Sequence, residues 1–117
     1  MRFVNFSASL QALTQAIEQT EMIYRENLSF GDVVFVWTLN SLYVIYVWGD
    51  SLFGVTGGWF SEEKFSVKKI KINGCTFGGS AIKKDIIAGK GLCLEFANRV
   101  QTTSIEDISI LKAISLN

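Results

Sequence analysis

Residues 33–48 read VVFVWTLNSLYVIYVW, two aromatic and β-branched runs parted by Leu39, Asn40 and Ser41. Runs of this make-up are strands, and the polar break predicts the turn of an antiparallel hairpin. Successive side chains alternate between the two sides of a strand. Val33, Phe35 and Trp37 therefore share one face, and Val34, Val36 and Thr38 the other. Across the turn, Leu42, Val44, Tyr46 and Trp48 alternate with Tyr43, Ile45 and Val47. Both faces of the hairpin are apolar, so each needs a cover: the chain itself, a partner or a ligand.

Downstream the strand signals continue. Residues 52–60 are interrupted by Gly54, Gly57 and Gly58. Glycine in a strand marks a bulge or bend, which predicts a sheet that curls. Residues 67–72 read as a strand with Ile70 and Ile72 inward and Lys69 and Lys71 outward. Asn73-Gly74 after it is the favoured two-residue hairpin turn. Residues 92–97 and 105–113 supply two further strands, while 81–88 fit a helical turn and an irregular strand equally well. Upstream, Leu10, Leu13, Ile17 and Tyr24 fall on one 3.6-residue face, with Gln11, Gln15, Glu18 and Gln19 away from it. This spacing predicts a helix over 8–25 with Leu13 and Ile17 buried. The expected fold is α+β: an N-terminal amphipathic helix packed on a strongly bent antiparallel sheet or small open β-barrel of five to seven strands, spanning 31–113. At 117 residues the chain, 1–117, is expected to be a single domain.

Composition narrows the chemistry. Hydrophobic content of 49% excludes a disordered chain. No apolar run approaches the ~20 residues of a membrane helix. The first twenty residues lack the basic start and continuous apolar stretch of a secretory signal, so a cytoplasmic location is expected. The chain has no histidine, which removes Ser-His and Cys-His catalysis and histidine-ligated metal sites. Cys75 and Cys93 match no zinc spacing and read as small structural hydrophobes in a reducing compartment. Proline is absent too, so glycine and asparagine must make the turns. Neither an enzyme nor a cofactor or metal is expected.

Charge is balanced overall but segregated. Residues 1–63 carry seven acids against two arginines, whereas 64–90 carry seven lysines against Asp85 alone. Lys68, Lys69, Lys71, Lys83 and Lys84, near Phe65 and Phe77, are the candidate anion or single-stranded nucleic-acid residues, cations for phosphate and rings for bases. The competing reading is a solvated lysine face guarding a strand edge, and a sequence pI near 6.2 makes nucleic acid the weaker partner. The glycine clusters at 54–58 and 78–79 lack the lysine and hydroxyl of a phosphate loop and read as bends. Glu62-Glu63 and Glu106-Asp107 are strand neighbours whose side chains diverge, and Glu95 alternates out of an apolar strand toward solvent.

The remaining signal is aromatic surplus. Trp37, Tyr43, Tyr46, Trp48, Trp59 and Phe60 exceed what so small a core must hold, and Trp and Tyr are enriched where interfaces form. The function expected is a non-catalytic protein-interaction, regulatory or adaptor module that self-associates as a homodimer or small oligomer, with a further protein partner open to it. Two alternatives come from other classes: a small-ligand binder with a tryptophan-lined barrel pocket, and a single-stranded nucleic-acid binder using the lysines between 68 and 90.

Overall fold

A computed structural model of the chain describes residues 17–49, 51–58, 60, 67–79 and 81–113. Nine strands run through them in chain order: β1 Ile17–Thr20, β2 Met22–Tyr24, β3 Val33–Thr38, β4 Leu42–Gly49, β5 Leu52–Gly57, β6 Lys68–Thr76, β7 Ile86–Gly89, β8 Cys93–Phe96 and β9 Ile105–Leu111. Seven form one antiparallel sheet in the order β1-β9-β3-β4-β5-β6-β8, and β2 pairs with β7 in a second, two-stranded sheet. Among the described residues helical structure is limited to 3-10 turns, at Arg25–Asn27 and at Gly58 and Phe60. No helix there is long and apolar enough to cross a membrane.

The architecture is therefore nearly all β, and the expected α+β class is wrong. Residues 17–24, assigned to a helix over 8–25, are strands; residues 8–16, Leu13 included, lie outside the described residues. Ile17, expected inside, sits 36% exposed on the outermost strand. The reason is long-range pairing. β9 has an edge facing β1 in register Ile17↔Leu111 through Thr20↔Ile108. The buried strand β7 needs a partner for its own backbone, and β2 supplies it. Between them the chain bends at Glu21 and passes from one sheet to the other.

The core lies on the inner face of the large sheet. Val34 and Val36 of β3, Ile45 of β4, Val55 of β5 and Leu94 and Phe96 of β8 are fully buried there, packed with Ile87 and Ala88 of β7. Tyr43, Phe60 and Phe96 meet at its centre, with Phe60 edge-on to Phe96 at 4.8 Å between ring centroids. All four positions of β7 are buried, which resolves residues 86–89 as a covered strand rather than a helical turn.

Two local signals resolve differently from expectation. Asn73-Gly74 is not a hairpin turn. It is a bulge within the nine-residue strand β6. Asn73 donates its side-chain amide to Glu95 Oε2 (2.8 Å) and to the Phe96 carbonyl (3.2 Å), which pins the bulge to β8. Gly74 has φ +142°, and the Lys83 carbonyl lies where its Cβ would be. The chain reverses later, where Thr76 Oγ1 accepts from the Gly78 and Gly79 amides.

Register at the base of the hairpin is held by Asp32. It is fully buried, and its carboxylate accepts from the Ser29 amide (2.9 Å), the Ala113 amide (2.8 Å) and Lys112 Nζ (2.6 Å). Its carbonyl accepts from the Val47 amide of β4. Burial by itself pushes the carboxyl up, but the hydrogen bonds from Ala113, Lys112 and Ser29 outweigh it and hold the group below the usual aspartate range.

Candidate functional site

The outer face of the large sheet carries the side chains that alternate away from the core. Pairing aligns Val33 with Tyr46, Phe35 with Val44 and Trp37 with Leu42 across β3 and β4. It extends the field to Leu111 and Ile17 on one side and to Leu52 and Thr56 on the other. Trp37, Leu42 and Trp48 are 36–40% exposed, and Val33, Phe35, Val44 and Tyr46 half-buried. Phe35 and Trp37 stack at 6.2 Å between centroids with 25° between planes. Trp48 lies over β5 because Gly54 has no side chain: a Cβ there would overlap the indole and approach Val67 Cγ1 to 2.7 Å.

The six aromatic candidates thus separate. Trp37, Tyr46 and Trp48 line the outer face. Tyr43 and Phe60 point inward and belong to the core. Trp59 lies outside the described residues. The sheet interior is filled by Phe96, Tyr43, Phe60 and the aliphatic cluster, and the two described tryptophans face away from it, so they line no barrel pocket. Phe35, Leu42 and Val44 join the outer face. Alternation in residues 33–48 already places them beside Trp37 and Tyr46.

Charge borders this apolar field at opposite corners. Asp107 of β9 is paired with Trp37 at one end. With Glu106, Gln19, Thr38 and Ser109 it surrounds a depression of about 300 Å³ beside the indole. Lys90 reaches Asp107 at 3.7 Å and Glu21 at 3.9 Å, both exposed pairs. Lys69 and Lys71 of β6 lie across β5, level with Gly54 and Leu52.

The basic candidates also separate. Lys68 and Lys69 are exposed near the start of β6. Lys71 and Lys84 converge on a cleft of about 450 Å³ with Arg25, Ser51, Ile72, Asn73, Ile82 and Glu95. Lys83 instead bridges Cys75 through backbone hydrogen bonds in both directions. Phe77 is 79% exposed and lines neither this cleft nor the cavity beside it. Arg25 was read as part of a helix, and no local signal marks it. It donates Nε to the Lys84 carbonyl (2.9 Å) and Nη2 to the Ile72 carbonyl (2.8 Å), groups 59 and 47 positions away. Glu95 accepts from the side-chain amides of Gln101 (2.9 Å) and Asn73 (2.8 Å). Those two bonds, helped by the charge of Arg99 and opposed by slight burial, hold its carboxyl below the usual range.

Cys75 is buried with its thiol near the Ile87 carbonyl, and burial pushes its pKa up to about 11, which keeps it an unreactive thiol. Among the described residues no group of three or more acids or cysteines is placed to hold a metal.

The fold and these surfaces define a small antiparallel β protein with an apolar sheet face and a basic cleft. Comparison with protein-family models, with curated proteins and with solved structures finds no match. Function is argued from the surfaces alone.

Proposed function

We propose that this protein is a non-catalytic interaction module that self-associates through the outer face of its large sheet. One observation carries the reading: Phe35, Trp37, Leu42, Val44, Tyr46 and Trp48 form a continuous apolar field on β3 and β4, bare enough to leave both tryptophans more than a third exposed. Monomers rarely expose such a patch without a partner for it.

Charge placement supports a second copy as that partner. The acidic corner at Asp107 and Glu106 and the lysine corner at Lys69 lie on β9 and β6, four strand spacings apart, about 19 Å. They are also displaced along the strands, since Trp37 and Val33 are four residues apart, about 13 Å. A two-fold axis in the plane of the face and perpendicular to the line joining these corners sets each acidic corner on the partner's lysines. A closed two-fold pair uses one patch twice, and complementary rim charge fixes its orientation.

Light scattering on the full chain tests the reading. A dimer is expected at micromolar concentration, with Trp37→Glu and Tyr46→Glu shifting it to monomer and Lys69→Glu weakening it less. A wild-type chain that stays monomeric from about 1 to 100 µM, the range in which a standard-size interface forms, overturns it.

A further inference from the structure

We infer that the cleft beside β6 is a binding site for a small organic anion, a phosphate or carboxylate carried on an apolar body. The cleft arises from strand length. β6 has nine residues and β5 six, and the β5 ladder ends at Leu52↔Lys71. On the far side of the bulge Lys83 pairs with Cys75. Between these pairings no strand among the described residues neighbours the edge of β6 at Ile72 and Asn73, and Arg25 spans the gap.

The gap collects cations from three distant parts of the chain. Arg25 comes from the 3-10 turn, Lys71 from β6 and Lys84 from the turn before β7. Among the described residues none of the three makes an ion pair. The two carbonyls that accept from Arg25 occupy Nε and one N–H of Nη2. They hold the guanidinium plane in place and leave its other N–H groups available for an oxyanion, in the planar geometry that suits carboxylate and phosphate. Glu95, among the described residues the one acid lining the cleft, already accepts from Asn73 and Gln101. Among the described residues the local balance is three cations to one carboxylate, against an apolar wall formed with Ile72 and Ile82. Desolvation beside such a wall strengthens attraction for an anion over its value in open water.

Backbone conformation points to the same place. Ser51 (φ +63°) and Arg99 (φ +68°) are, among the described residues, the non-glycine residues held in left-handed conformation. Ser51 lines this cleft. Arg99 lines the adjoining cavity, which shares Asn73, Ile82 and Glu95 with it. Residues kept in a disfavoured conformation cluster at ligand sites. The chemistry favours a small molecule over a nucleic-acid strand. The cleft has the volume of a small-ligand pocket, and among the described residues no aromatic side chain lines it to stack a base.

Calorimetric titration of the full chain with phenyl phosphate and with inorganic phosphate tests the site. Phenyl phosphate is expected to saturate one site and bind about ten-fold tighter than inorganic phosphate, a difference of about 1.4 kcal/mol. Lys84→Glu and Lys71→Glu are each expected to weaken it about ten-fold or more, and Lys69→Glu, on the same strand outside the cleft, less than about two-fold. Lys84→Glu should leave the light-scattering mass unchanged, so this site and the self-association surface stand or fall separately. No saturable heat with either probe overturns the inference, and so does an equal loss on Lys69→Glu, which would report general charge. A thymidine oligonucleotide that displaces phenyl phosphate and loses affinity equally on Lys68→Glu and Lys69→Glu would assign the surface to nucleic acid instead.

Discussion

The two faces of β3 and β4 are built from the same kinds of residue and meet opposite fates. On the inner face Val34, Val36 and Ile45 are 0% exposed, in one buried cluster with residues of β7 and β8. On the outer face Trp37, Leu42 and Trp48 keep 36–40% of their surface, although the two tryptophans offer more apolar area to bury and Leu42 as much as Ile45. Hydrophobicity alone therefore does not determine which side of a sheet becomes core. Both sides favour burial at roughly 25 cal/mol per Å². What separates them is where the rest of the chain crosses. β7 and β8 follow β6 onto one side, held by the β6–β8 ladder and the Cys75–Lys83 bridge.

The contrast depends on register, because a slip of one residue exchanges the faces. Asp32 guards it, tying the entry of β3 to the end of β9 and to Val47. Asp32→Ala should be the most damaging change, costing about 3–5 kcal/mol in urea melts, since it leaves the Ser29 and Ala113 amides without their acceptor. The pH dependence follows from the lowered carboxyl. Its stabilisation is complete above the unfolded aspartate value of about 3.9 and is lost as pH falls through the folded one. The stability gap between wild type and Asp32→Asn should therefore be constant near neutrality and shrink below about pH 4.

Neighbouring truncations compare the faces directly. Ile45→Ala should cost about 2–5 kcal/mol at any protein concentration, as buried truncations do. Val44→Ala, one residue along and pointing outward, should cost under about 1 kcal/mol in dilute protein. Its cost should grow with protein concentration if a second copy covers the outer face. Equal costs for the two at low concentration would break the comparison.

A smaller effect is expected at Gly54, whose missing side chain lets Trp48 lie flat on β5. Gly54→Ala should lift the indole at a cost of about 1–3 kcal/mol and shift tryptophan emission to the red. The smallest contrast is between the thiols. Cys75→Ser buries a hydroxyl and should cost about 1–3 kcal/mol, whereas half-buried Cys93→Ser should change stability little.

The hairpin at 33–48 was legible because alternation is a property of the strand itself: β3 and β4 fall where the aromatic runs lie, and parity alone puts Tyr43 opposite Tyr46 and Trp48. Grouping Tyr43 with the interface aromatics set residue type above parity, and parity was right. The helix reading failed over 17–24 for a different reason. Few apolar residues fall in that stretch, so their spacing fits more than one period. The outcome rests on backbone groups of β9 and β7, some ninety and sixty-five positions downstream, that need hydrogen-bond partners.

Asn73-Gly74 shows the same override at shorter range: a dipeptide suited to a turn becomes a bulge because Glu95 and Phe96 accept from Asn73. The lysines of the cleft were visible as a basic segment. Nothing local separates Lys71 and Lys84 from Lys68 and Lys69, or joins Arg25 to them. By itself the sequence determined the strands around 33–48, the sides on which their residues lie and the chemistry that a chain without histidine gives up. Tertiary structure alone decided which apolar face is covered and which cations meet, because both depend on pairings between residues far apart in the chain, and local side-chain pattern carries no record of them.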